Sequence, residues 1–87
     1  METIKLDHPI QVNGIALKEI FLRRPKVRDR LVVDKMTVSD AEKEVLLIAN
    51  LAEISREAVE ELDLSDYSKI QRQLQNFLVL TAPDTTS

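Results

Sequence analysis

His8 is the one imidazole in the chain, and it stands beside Pro9 in a stretch that otherwise alternates like a β-strand. A histidine serves as a general base when a nucleophile lies against one ring nitrogen and an orienting group against the other. The sequence supplies no such partners around His8, so a structural or exposed histidine is favoured over a catalytic one. Glu57, Glu60 and Glu61 are close enough to share a helical face, and grouped carboxylates can do acid-base work or hold a divalent ion. A solvated acidic face is the simpler account of them. The absence of cysteine removes disulfides, thiolate metal sites and a thiol nucleophile, and a single histidine leaves zinc or haem without ligands. With one glycine in the whole chain, a phosphate-cradling loop of the Walker or dinucleotide type cannot be built. The sequence therefore predicts no catalytic residues, no metal, no cofactor and no enzymatic activity.

The strongest local charge feature is basic. Arg23, Arg24, Lys26, Arg28 and Arg30, with Asp29 among them, give the segment 23–30 a charge of +4. Residues 39–66 hold nine acids against Lys43 and Arg56, a charge of −7. Arg and Lys at a helix start can grip phosphates, so a small DNA-binding regulator using segment 23–30 is one reading. Against nucleic acid stand the net charge of −3 and an aromatic set limited to Phe21, Tyr67 and Phe77. Pairing of the basic segment with an acidic face, in this chain or in a partner, is preferred.

These groups must be positioned by one small domain, since 87 residues, 44% of them hydrophobic and 31% charged, suffice for a single core. The longest apolar run, Val45 to Ala49, falls far short of the roughly 20 residues that cross a bilayer, so no membrane segment is expected. The first residues lack the basic and then apolar organisation of a secretory leader, and the product is expected to stay where it is made.

The first quarter alternates through Ile4, Leu6, Ile10 and Val12 to Asn13-Gly14, then through Ile15 and Leu17 to Phe21. Asn-Gly tolerates the positive φ that a type I′ turn needs at both central positions, which predicts a hairpin over 2–23 with strands at about 2–12 and 15–23. A two-residue loop sets Val12 against Ile15, Ile10 against Leu17 and Leu6 against Phe21 on one side. Ile20 and Leu22 then fall on the other side. Either a bulge near Pro9 or Lys18 shifts the register, which is the first reading, or that second face meets a partner.

Pro25 ends the strand and suits a helix start, predicting a short helix at about 26–35 with a thin stripe of Val27, Leu31, Val32 and Met36. Ser39-Asp40-Ala41-Glu42 is a capping box opening a helix over 40–52. Ala41, Val45, Ile48, Ala49 and Ala52 line one face of it, and Leu46, Leu47 and Leu51 extend the apolar surface further. Core packing is the first account of those leucines, and partner binding the second. Ser55 caps a helix over 56–62. Ser65 or Asp63 caps the last, over 66–79, where Tyr67, Ile70, Leu74, Phe77 and Leu78 form one stripe. Residues 81–87, TAPDTTS, read as a disordered tail. The predicted architecture is α+β, an N-terminal β-hairpin followed by three or four short helices, in a single domain over 1–80.

In this order the pieces resemble a known family. The hairpin TIKLDHPIQVNGIALKEIFLRRP, the L-R-x-P step within Phe21 to Pro25, and the L-D-x-x-D passage at Leu62, Asp63 and Asp66 are similar to the small tail assembly chaperones of Mu-like and related contractile-tailed bacteriophages. The resemblance covers about residues 3–80. It implies a non-enzymatic assembly factor in the host bacterial cytoplasm, without cofactor or catalytic site. Such a factor binds the tape measure protein, keeps it soluble, helps tail tube protein polymerise around it and leaves the finished virion. It also implies that a frameshift-extended form can accompany the short one. A chaperone for a long helical chain needs apolar surface that can be covered and uncovered. Leu46, Leu47 and Leu51, followed by Ile20 and Leu22, are the candidates, and such surface also permits homo-oligomers. The alternative is a small phage DNA-binding regulator.

Overall fold

The computed structural model describes residues 1–78, so the tail expected at 81–87 lies outside the described residues. Antiparallel strands β1 (Glu2–Val12) and β2 (Ile15–Leu22) are followed by helices α1 (Val27–Asp34), α2 (Asp40–Ala52), α3 (Arg56–Glu60) and α4 (Leu64–Leu78), an α+β arrangement. Asn13 and Gly14 take φ of 53° and 79°, the double left-handed conformation that closes a type I′ hairpin. Val12 opposes Ile15 and Ile10 opposes Leu17, as a two-residue loop dictates.

Beyond those pairs the ladder breaks. The next partners are Lys5 and Glu19, so the four residues from Leu6 to Pro9 stand against the single Lys18. A bulge is thus present at the expected place. Pro9 has no amide to donate and sits where the ladder is already interrupted. The surplus on β1 is odd, and an odd slip exchanges the two faces of the partner strand. Near the turn, Leu17 shares the core side with Ile10; past the bulge it is Ile20, opposite Ile4. The expected pairing of Leu6 with Phe21 does not form, because Phe21 lies opposite Thr3 and is half exposed.

The helices start where local hydrogen bonds allow. Ser39 Oγ accepts the Glu42 amide at 3.2 Å while Glu42 Oε1 accepts the Ser39 amide at 3.3 Å. Ser55 Oγ accepts the Ala58 amide at 3.1 Å and opens α3. At α4 the cap is Asp63 rather than Ser65: its carboxylate accepts the Ser65 amide at 3.0 Å and its carbonyl the Tyr67 amide at 2.9 Å. The core gathers Ile4, Leu6, Ile10, Ile20 and Leu22 from the hairpin. Ile48 and Leu51 come from α2, Ala58 and Val59 from α3, and Ile70, Leu74 and Phe77 from α4.

Helix α1 stands apart from that core. Its buried residues are Asp29 and Val33, while Val27 and Leu31 are 78% and 54% exposed and Val32, with Met36 just after the helix, is also exposed. The residues of the expected thin stripe are exposed. At 3.6 residues per turn, Val27 and Leu31 lie about 200° around the helix from Asp29 and Val33, so docking through the latter pair turns the former away.

Candidate protein-binding surface

Two buried carboxylates tie the elements together. Asp66 is fully buried, and its Oδ1 and Oδ2 accept the amides of Asp7 and His8, both at 2.9 Å. The bulge frees those amides from the ladder, and the first turn of α4 supplies their acceptors. Lys69 Nζ lies 3.3 Å from Asp66 Oδ1 and 2.8 Å from Asp7 Oδ2. Burial pushes the Asp66 pKa up, but the two amides and the Lys69 ammonium outweigh it and hold the group below the ordinary carboxylate range. The His8 ring is exposed, with Nε2 4.0 Å from Asp63 Oδ2.

Asp29 anchors α1. Arg23 Nη1 and Nη2 donate to its two oxygens at 2.9 and 2.8 Å, and the Lys26 amide donates to Oδ2 at 2.7 Å. The Arg23 guanidinium first, then the Lys26 amide, bring the Asp29 pKa down to about 2. The Arg23 backbone amide also donates to the Leu51 carbonyl at 3.2 Å, joining the end of the hairpin to α2.

The basic segment is therefore divided. Arg23 clamps Asp29, and Arg24 lies 5.1 Å over the centre of the Phe77 ring while donating to the Phe77 carbonyl at 3.4 Å. Arg30 Nε is 3.3 Å from Asp34 Oδ2. Lys26 Nζ and Arg28 have no carboxylate within ion-pair distance among the described residues. On the acidic side, Glu57, Glu60 and Glu61 are exposed and Arg56 bridges Glu60 to Glu42 at 2.9 and 3.0 Å. No cluster of three metal-ligating side chains forms among the described residues.

Of the apolar candidates, Ile20, Leu22 and Leu51 are 1%, 0% and 1% exposed and lie inside the core, where a partner cannot reach them in this conformation. Leu46 and Leu47 are half-buried. Leu47 opens onto a groove of about 600 Å³ between α1, α2 and the end of α4. Val33, Leu47 and Leu74 line its floor, and the exposed Val27 and Leu78 its lip. Glu44, on the rim, accepts hydrogen bonds from Tyr67 Oη and Gln71 Nε2, both at 2.8 Å. Burial, then the neighbouring Glu44 carboxylate, push the Tyr67 pKa above its ordinary value. Sequence reasoning read Val27 only as part of a thin helical stripe and named none of Val27, Val33, Leu74 and Leu78 as a binding residue. The signal for how α1 docks was Asp29, an acid in the first turn of a helix amid basic residues.

Fold and surface together define the class, a small α+β domain whose accessible feature is an apolar groove with a charged rim, a geometry suited to binding protein. Over residues 3–79 the chain matches the family described as phage tail assembly chaperone proteins, E, or 41 or 14, and it belongs to that family. No curated protein and no solved structure matches it. Membership supports a role in phage tail assembly exercised through protein partners, and a non-enzymatic one. No helix among the described residues is long and apolar enough to cross a membrane. The passages that carried the resemblance have structural work: Arg23 clamps Asp29, Leu62 is core, Asp63 caps α4 and Asp66 holds the bulge.

Proposed function

We propose that this protein binds the tape measure protein, keeps its helical segments in solution, and hands it to tail tube protein in the host cytoplasm without remaining in the virion. The observation that carries the reading, beside family membership, is the apolar surface that α1 leaves exposed: Val27, Leu31 and Val32 on a helix docked by Asp29 and Val33, with Met36 exposed just after it. A helix presenting this much apolar side chain to water has surface that a partner can cover. Release needs no refolding of the domain, because the face lies outside the core.

Co-expression with the tape measure protein of the same phage tests the reading. Wild-type protein should co-purify with it and raise its soluble fraction, and Val27→Asp with Leu31→Asp should abolish capture while leaving the melting temperature unchanged. Failure of the wild type to capture it overturns the reading. Mass spectrometry of purified virions should find the protein absent; its presence would make it a tail subunit.

Duplex binding by segment 23–30 has less support, since Arg23 is held by Asp29, Arg24 by Phe77 and Arg30 by Asp34. A mobility-shift series across salt should show no retardation even at low ionic strength.

A further inference from the structure

We infer that segment 25–38, which carries α1, undocks as a unit while the rest of the domain stays folded, a strap that opens over the trough between α1, α2 and α4. The inference concerns the protein alone and holds whichever partner it serves. It rests on how the segment is attached, on what Asp29 does within it, and on where its two ends are fixed.

The attachment is thin. Among the described elements α1 packs against α2 only, and Val33, although buried, lies outside the cluster that forms the core. Pro25 and Val38, at the ends, are half-buried, and the other apolar residues of the segment, Val27, Leu31, Val32 and Met36, are exposed. Among the described residues, the single polar link from the segment to the rest of the molecule is Asp29 with Arg23, at 2.9 and 2.8 Å. Arg23 is half-buried, so water reaches the pair. Ordering each residue costs conformational entropy, and one clamp with one buried valine is little to offset it over a segment of this length.

Asp29 makes the opening cooperative. Its carboxylate takes the Lys26 amide at 2.7 Å, which starts the helix, and takes the Arg23 guanidinium, which docks it. Helix and docking therefore fail together. Once undocked, α1 has eight residues, three of them valine, and ends on Asp34, where the helix dipole favours a cation, so it does not persist as a free helix.

The flanks set the limits of the opening. On one side the Arg23 amide donates to the Leu51 carbonyl at 3.2 Å, and Arg24 lies over the Phe77 ring. On the other, Ser39 and Glu42 cap α2 with their reciprocal hydrogen bonds. None of these contacts uses a side chain of the segment, so the hairpin, α2 and α4 stay as they are. The trough of about 600 Å³ then loses the wall that Val27 and Val33 supply, and Leu47 and Leu78 come to stand on an open face. A partner that takes either that face or the freed segment shifts the population toward the open form.

Hydrogen exchange of the full chain, followed amide by amide by NMR, tests this. The Leu31, Val32 and Val33 amides should share one protection factor, at least about a hundredfold below those of Ile48, Leu51, Ile70 and Leu74. Asp29→Ala should lower the α1 protection by a further factor of about ten and leave the four slow amides unchanged. The chain has no cysteine, so Val33→Cys gives a single reporter thiol. Its reaction with a maleimide should accelerate about tenfold when Asp29→Ala is added.

Equal protection in α1, α2 and α4 overturns the inference, because α1 would then open only with the whole domain. Absence of any protection in wild-type α1 overturns it from the other side, since the segment would not be docked at all. Rates graded from residue to residue and indifferent to Asp29→Ala would show fraying in place of a unit. Loss of the slow amides, or of folding, in Asp29→Ala would make the clamp part of the core's stability and overturn the inference as well. So would a Val33→Cys thiol whose reaction ignores that substitution.

Discussion

The hairpin side of the molecule and the α1 side are each held by a buried aspartate, yet they differ in what surrounds it. Asp66 joins α4 to the strand bulge, and beside that junction Leu6, Ile10 and Ile70 are buried. Asp29 joins α1 to the end of the hairpin through Arg23, and on α1 the one buried apolar side chain is Val33. On the first side the polar clamp supplements an apolar core; on the second it substitutes for one. A helix docked through a carboxylate keeps its apolar stripe available, whereas a helix docked through that stripe has nothing left to offer a partner.

The largest test of this contrast places the same charge on each side. Leu51→Asp buries an uncompensated carboxylate where the native leucine is 1% exposed, at a cost of several kcal/mol, and should abolish the cooperative thermal transition in circular dichroism. Leu31→Asp should melt as the wild type does. Unfolding by both would mean that α1 is packed after all.

Next in size is the Asp66 clamp. Asp66→Ala leaves the buried amides of Asp7 and His8 without acceptors and should cost about 3 kcal/mol in urea denaturation. A loss below about 1 kcal/mol would show that water replaces the carboxylate.

Acid should unlock both clamps. Asp29 and Asp66 have folded-state pKa values below the ordinary carboxylate value of 3.8, so the folded state binds their protons less readily than the unfolded chain does. Their contribution is fully present above the unfolded value and is lost as the pH falls through the folded one, which for Asp29 means between about 4 and about 2. Urea midpoints measured across that interval should fall for the wild type, and less steeply for Asp29→Asn. An unchanged slope would detach Asp29 from acid stability.

The smallest expected effect is at the α1 face itself. Val27→Ser should change stability by less than about 0.5 kcal/mol, because a side chain 78% exposed loses little on truncation. A larger loss in urea denaturation would place Val27 in the packing of the free domain.

The candidate site was legible in part. Leu47 was singled out from the surplus of leucines on α2 and does line the groove. Leu51, four residues on, lies under the hairpin end where the Arg23 amide meets its carbonyl, a contact across 28 positions that periodicity cannot foresee. Ile20 and Leu22 read as a second face because strand parity was counted through Lys18 without the surplus that four β1 residues create there. The basic segment was visible as a patch, but its division among Asp29, Phe77 and Asp34 depends on where each guanidinium ends, which charge counting does not show.

The sequence by itself determined whatever depends on neighbours a few positions apart. Asn13-Gly14 could only turn tightly, Ser39 with Glu42 could cap α2, Ser55 could cap α3, and Ile70, Leu74 and Phe77 had to share a face, because hydrogen-bond reach and helical pitch set those outcomes within one or two turns. Tertiary structure alone decided which faces point inward. The aspartate that receives the Asp7 and His8 amides lies 59 and 58 positions away, and the buried face of α1 follows Asp29 rather than the apolar stripe. Both choices turn on buried polar groups that must find partners. Such partners are fixed by the assembled fold and leave no periodic trace in the chain.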